Sequence, residues 1–307
     1  MKTLVIALSL LLICAFGEKS AAADVTTPTV FDVNSVHVEK YGSGEAGQPA
    51  LILIPGLTNG AAVWAATIHR FAPSHTVYAL TLAGFGGRAP VTAPMLDKAD
   101  ADIVVLIKRE RLTKPILIGH SMGGHLALRL AAEHSDMLRG VISVDGVPIF
   151  PGYEIMSPEQ RAASASKMVA QIKSASTPEQ FMYAERTYIA PYLTLAKNVD
   201  AVSQFSAGAD PNATAQYMQE LLTSDLRPQL AAVSVPVLEL VPYDATLDKN
   251  PPSSFATATA KQTYYEGLLK NDKTVTVQMV QDSRHFIMID QPEAFYVDVQ
   301  NFMDAHK

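Results

Sequence analysis

The segment Gly119-His120-Ser121-Met122-Gly123-Gly124 allows this chain few local geometries. It follows the apolar run Pro115-Ile116-Leu117-Ile118-Gly119 and precedes a small, apolar stretch with helical spacing, Gly123 to His134. A strand that turns at once into a helix must bend sharply. Small residues two positions either side of Ser121 keep that bend free of collision. The serine then occupies strained backbone dihedrals, with its hydroxyl held out above the sheet edge. The helix N-terminus behind it supplies free N–H groups and a partial positive charge, both suited to a developing oxyanion. Gly124 removes bulk where the helix packs back. Ser121 is therefore the candidate nucleophile.

The rest of the chain provides a sheet on which such a turn can sit. Ala50–Ile54, Thr76–Leu80, Val141–Asp145, Val235–Val241 and Thr274–Val280 are short apolar runs like the one before Ser121. They are continuous, not alternating, as expected of strands covered on both faces. Helical patterns fall between or after them: Asp97–Arg111 with Asp97 as N-cap, Gly123–His134, and Pro292–His306. Strands alternating with helices predict an α/β fold with a doubly wound, mostly parallel sheet. The interval 149–230 breaks the rhythm. It has helix formers, several Pro and Gly, and the aromatics Phe181, Tyr183, Tyr188, Tyr192 and Phe205, but no convincing strand. It is too long for a structureless loop and predicts a helical cap inserted between two sheet strands, with 24–148 and 231–307 forming the core.

On these residues the chain resembles the α/β-hydrolase superfamily over nearly its whole length, most closely its capped lipase-like and esterase-like members. The resemblance implies that fold and a serine hydrolase. Ile54-Pro55-Gly56-Leu57-Thr58-Asn59-Gly60 is similar to the family's oxyanion loop, with Pro55 where a His is usual. The backbone N–H groups of Leu57 and Met122 are thereby implied as the oxyanion hole. Thr81-Leu82-Ala83-Gly84-Phe85-Gly86-Gly87 is similar to the family's D-x-x-G-x-G turn, with Thr81 in place of the Asp and the three glycines expected at positive φ. Trp64 lies where the family often has an aromatic and is read as core.

A serine hydroxyl needs a base, and the family order is Ser, acid, His. Ser283–Phe295 is similar to the family's terminal G-H-x-x-x-x-x-x-P-E-x-F segment, which implies His285 as base. Arg284 replaces the usual Gly and is expected to face solvent. The other histidines are poorly placed: His69, His75, His125 and His134 fall in early helices or loops, His306 is terminal, and His120 is expected to point elsewhere. The acid stays open. Asp244 follows the strand ending at Val241, the usual position, and is the first choice. Asp145 closes the preceding strand in a compact turn, Val144-Asp145-Gly146-Val147-Pro148, and is the alternative. Asp248 is a further candidate.

The 307 residues suffice for a well-buried core. With 48% hydrophobic and 18% charged residues the chain is globular and not disordered. Its net charge of −6 and lack of a basic run argue against nucleic acid as a partner. Lys2, the apolar Leu4–Phe16 and the small residues Ser20–Ala23 read as a signal peptide cleaved after Ala23. Its apolar part, about 13 residues, is shorter than the roughly 20 that span a bilayer. The only cysteine, Cys14, lies inside it, so the mature chain would hold no disulfide and no thiolate chemistry. Export to a periplasmic or extracellular location follows as an expectation. No H-E-x-x-H motif or tight carboxylate cluster points to a metal, and no cofactor is expected. The expected reaction is hydrolysis of a carboxylic ester or related acyl bond of a small to medium, partly apolar substrate. Alternatives on the same framework are acyl transfer, C–C hydrolysis, cofactor-free peroxidation, or a non-catalytic exported binding protein.

Overall fold

The computed structural model describes residues 27–175, 177–250 and 255–307. The expected signal segment, with Cys14 and Ala23, lies outside them. Eight strands form one sheet in the order β1-β2-β4-β3-β5-β6-β7-β8. They are β1 (Thr29–Val33), β2 (Val36–Tyr41), β3 (Leu51–Ile54), β4 (Val77–Thr81), β5 (Ile116–His120), β6 (Gly140–Val144), β7 (Val237–Tyr243) and β8 (Val275–Gln281). From β4 to β8 the pairing is parallel. The runs expected as buried strands are these parallel members, shifted by a residue or two, and β3 to β7 are buried throughout.

The antiparallel pair β1–β2 was not foreseen. Val36-His37-Val38-Glu39 alternates in burial, because this end of the sheet faces solvent on one side. Its turn is tied to the second helix. Asn34 Nδ2, Ser35 N and Ser35 Oγ donate to the Asp102 carboxylate at 2.7, 2.9 and 2.6 Å.

Helices cover both faces. They are α1 (Ala65–Phe71), α2 (Met95–Arg109), α3 (Met122–His134), α4 (Pro158–Lys173), α5 (Pro178–Ile189), α6 (Ala196–Phe205), α7 (Pro211–Thr223), α8 (Ala258–Leu269), α9 (Ile287–Asp290) and α10 (Pro292–Ala305). One apolar core lies between the sheet and α2, α3 and α7. The other lies between the sheet and α1 and α10 and takes in residues of α5 and α6. Trp64 is fully buried in the second core and stacks on Phe295.

Asp97 is not the N-cap of α2. The helix starts two residues earlier, after Pro94, and Asp97 lies in its first turn. The Glu220 carboxylate of α7 accepts from the N–H groups of Met95 and Leu96, both at 2.8 Å. A cap drawn from more than 120 residues away leaves no local signature.

Between β6 and β7 the chain forms α4 to α7. Pro at the first turn and an Asp, Ser or Thr cap open α4, α5 and α7. The last of these belongs to the core: Tyr217 is buried against Phe85, and Gly84 sits so close to Ala213 that a Cβ there would be 2.3 Å away. The turn around Gly84, Gly86 and Gly87 has positive φ at all three glycines. It bonds to the same segment, Gly87 N to Gly208 O and Asp210 N to Gly84 O. Thr81, where the family pattern has Asp, accepts from Ala61 N at 2.9 Å and so opens the turn before α1.

Candidate active site

The C-terminal ends of β3 and β5 carry the loop 55–60 and Ser121, beside the point where strand order reverses. Ligands of open α/β sheets gather in the crevice there. Ser121 has φ 54° and ψ −116°. Its N–H donates to Val144 O at 2.9 Å, tying the bend to β6. The glycines are sterically required. A Cβ on Gly119 would lie 2.1 Å from Gly123 O, and one on Gly123 would lie 2.2 Å from Ile54 O. A Cβ on Gly56 would meet the His120 ring at 2.8 Å, so Gly56 lets its loop approach the bend.

Met122 follows Ser121 as the first residue of α3, and Gly56, where a Cβ would lie 3.3 Å from Ser121 Cβ, brings the loop that continues to Leu57 up to the bend. Among the described residues no protein group accepts from the backbone N–H of Leu57 or of Met122. The Leu57 carbonyl is engaged instead, by Thr58 Oγ1 at 2.6 Å and Asn59 Nδ2 at 3.0 Å. Those bonds fix the Leu57–Thr58 peptide, which adjoins the Gly56–Leu57 peptide that carries the Leu57 N–H. Thr58 also meets Ser206 Oγ at 2.8 Å and Glu185 Oε2 at 3.3 Å, both from the insertion. Burial pushes the Glu185 carboxyl up to about 7 against the opposing Thr58 hydrogen bond.

His285 lies between β8 and α9, and its Nδ1 is 2.5 Å from Asp145 Oδ2. Asp145 sits immediately after β6 at φ 50°, with its N–H bonded to Leu240 O at 2.9 Å. Its other oxygen accepts from Tyr265 Oη at 2.6 Å. Burial would raise the Asp145 carboxyl, but the His285 charge and hydrogen bond, Lys261 and Tyr265 outweigh it and hold the group at about 2.

Asp244, the first choice from sequence, does not take this position. Its Oδ2 accepts from Arg284 Nε at 2.7 Å, and its Oδ1 accepts from Thr246 N and Oγ1 at 2.8 and 2.5 Å. Those bonds overcome burial and hold its carboxyl at about 2. Asp248, the third candidate, pairs with Lys261 at 2.8 Å and accepts from Asp244 N. Arg284 is not free in solvent either. Besides Asp244 it donates to the carbonyls of Leu193 and Pro191 in the insertion.

His120 was expected to point away, yet its ring lies 4.7 Å from that of His285 and its Nε2 donates to His285 O at 3.0 Å. Burial, then the neighbouring His285, lowers it to about 3, so it stays neutral. His125 is equally buried and bonds to Val147 O and Ser224 Oγ. Tyr265 and His120 carried no sequence signal, because their contacts arise only when separate loops converge.

Ser121, Met122, Asp145 and His285 line one cavity of about 650 Å³. Its walls include Phe150, Tyr188 and Tyr192 from the insertion and Tyr264 from α8. No carboxylate cluster was foreseen, but Asp100, Glu133 and His134 bring ligand atoms within 4.8 Å of one another. They do not line the cavity, and Arg129 Nε sits among them, 3.1 Å from Glu133 and 3.4 Å from Asp100.

A model of the family described as "Alpha/beta hydrolase family" matches residues 51–299. The chain is 26% identical over 275 residues to a 2-(acetamidomethylene)succinate hydrolase of Mesorhizobium japonicum, covering 88% of this chain and 92% of that one. It is 25% identical to a pimeloyl-[acyl-carrier protein] methyl ester esterase of Yersinia enterocolitica, covering 83% and 93%. An esterase structure from Exiguobacterium antarcticum superposes with a TM-score of 0.71 at 20% identity, covering 88% and 95%, a likeness of fold.

Proposed function

The chain belongs to the alpha/beta hydrolase family and is a hydrolase, and from that premise we propose that it cleaves a carboxylic ester or related acyl bond through an acyl-enzyme on Ser121. The observation that carries the proposal is the 2.5 Å contact of His285 with Asp145 in the same cavity as Ser121. With Nδ1–H donated to Asp145, the imidazole keeps its Nε2 lone pair for the serine proton. Ser121 Oγ attacks the carbonyl carbon while His285 takes that proton. The N–H groups of Leu57 and Met122 hold the oxyanion, and Asp145 stabilises the imidazolium. His285 returns the proton to the leaving group. Water then enters by the same route in reverse, and the acid is released.

Asp145, not Asp244, is the acid in this reading. The cavity volume and the rings of Phe150, Tyr188, Tyr192 and Tyr264 favour a small to medium, partly apolar substrate. The methyl ester esterase among the relatives supports an ester.

The test is hydrolysis of p-nitrophenyl butyrate by the wild type and Ser121→Ala. A loss of about a thousandfold or more in the variant supports the reading. Equal rates, with no fluorophosphonate label on Ser121, refute it. The reading also includes export, on the strength of Lys2, the apolar Leu4–Phe16 and the small residues before Asp24. N-terminal sequencing of protein from its native host supports it if the chain begins at Asp24 and refutes it if Met1 or Lys2 remains.

A further inference from the structure

Behind Asp145 lies a carboxyl group that the mechanism above does not use. Glu239 is in β7, between β6 and β8, and is wholly inaccessible to solvent. Its neighbours in β7 are Leu238 and Leu240, and its partner in β8 is Val277. Both its carboxyl oxygens are buried without a hydrogen-bond partner. Its register partner in β6 is Ser143, two residues before Asp145. Ser143 Oγ donates to Gly146 O at 3.2 Å, so the same hydroxyl braces the turn that carries Asp145.

The polar groups facing Glu239 can be named from each side. Ser143 faces it from β6, the Asp145 carboxylate and Gly146 N–H from the turn, and the Tyr265 phenol from α8. Among the described residues no Lys, Arg or His pairs with it. The nearby Lys261 is committed to Asp248 at 2.8 Å.

An unpaired carboxylate in such a place costs far more than a protonated one. Two carboxyl groups share this desolvated space, and the negative charge goes to the one with donors. Asp145 has the His285 N–H and the Tyr265 O–H, whereas Glu239 is faced only by the Ser143 hydroxyl and the Gly146 N–H, neither in full hydrogen-bond geometry. Burial, reinforced by the Asp145 charge, outweighs the Ser143 hydroxyl and the Gly146 N–H and drives the Glu239 carboxyl well above the usual carboxylate range.

We propose that Glu239 is a neutral carboxylic acid that positions the Asp145 turn and keeps a second negative charge away from the Asp145–His285 pair. The proposal rests on reading that pair as catalytic. The protonated group fills the space behind the turn and presents an O–H and a C=O toward Ser143 and Gly146. Its neutrality matters to the base. A second anion beside Asp145 would favour the imidazolium over the free base that the mechanism needs.

Infrared spectroscopy of the intact enzyme in H2O and D2O tests the proton without reference to activity. The expected result at neutral pH is a protonated-carboxyl C=O band that shifts in D2O and is missing from Glu239→Gln. A spectrum in which Glu239→Gln removes no such band overturns the proposal. The pH profile of kcat/KM supplies the second readout. Glu239→Gln swaps one neutral group for another, so the acid limb is expected to stay in place. If Glu239 were ionised, the same change would remove a negative charge and move that limb to lower pH, which would also overturn the proposal. Positioning is tested by Glu239→Leu, expected to lower kcat about tenfold or more with little change in KM, and by recovery of most of that loss in Glu239→Gln. Equal kcat in wild type and Glu239→Leu would remove the positioning role. Should the chain fail to hydrolyse acyl substrates, the infrared band still reports on Glu239, while labelling of Ser121 reports on the reading beneath.

Discussion

The Arg284 guanidinium holds the Asp244 carboxylate at 2.7 Å, one residue from an imidazole that is held by a different carboxylate, Asp145. Two acids and two bases from neighbouring loops are thus sorted into two pairs. The pairing decides which acid can orient the imidazole.

Asp145→Asn is expected to lower kcat on p-nitrophenyl butyrate by about 10³- to 10⁴-fold, because an amide can present its N–H to Nδ1 and favour the wrong tautomer. Asp244→Asn keeps the imidazole contact and is expected to retain most of kcat. Equal losses in the two variants would contradict this assignment.

Acid stability separates the same two residues differently. The Asp244 carboxyl is held at about 2, below its ordinary 3.8, by Thr246 and Arg284 acting against burial. A lowered carboxyl contributes stability that is present above pH 3.8 and is lost as the pH falls through about 2. Thermal melts of Asp244→Asn should therefore depend less on pH between about 4 and 2 than those of the wild type.

Glu185 gives the opposite sign. Burial raises its carboxyl from 4.5 to about 7 in the fold. Its contribution is fully present below pH 4.5 and disappears as the pH rises through about 7. The melting temperature of the wild type should fall between about pH 5 and pH 8 relative to that of Glu185→Gln. Parallel melting curves would show that Glu185 titrates normally.

Gly123→Ala places a Cβ 2.2 Å from Ile54 O and 2.7 Å from Pro55 O, both main-chain atoms that cannot rotate away. The expected cost is on the order of 3 kcal/mol, read as a shift in the urea midpoint. A wild-type midpoint would mean that β3 and the Ser121 bend are further apart than described.

Strands β3 to β7 were legible because burial on both faces forces an unbroken apolar run, which a single sequence displays; β8, expected to be covered in the same way, is the edge strand and is mostly half-buried or exposed. Hairpin β1–β2 escaped because its residues face solvent on one side and carry His37, Glu39 and Lys40 among Val36, Val38 and Tyr41. The Ser121 bend was legible because glycine spacing is a local steric demand. The partner of His285 was not. Asp145 and Asp244 both follow sheet strands, and what separates them is Arg284, whose reach across the loop no local pattern encodes. The cap of α2 was lost for the same reason, since Glu220 supplies it from another helix.

The insertion is anchored unequally. Its last helix is built into the core through Tyr217, Glu220 and the Gly84–Gly87 turn. Its middle is held at Leu193 and Thr194 by Arg284 and Asp290, and Asp290 also accepts from Arg284 N. Those two side chains bracket His285. Displacing Leu193 and Thr194 would break bonds to the loop that carries the imidazole. The stretch of the insertion that follows Tyr192, a wall of the cavity, and the loop that carries the imidazole are thus stitched into one hydrogen-bonded unit.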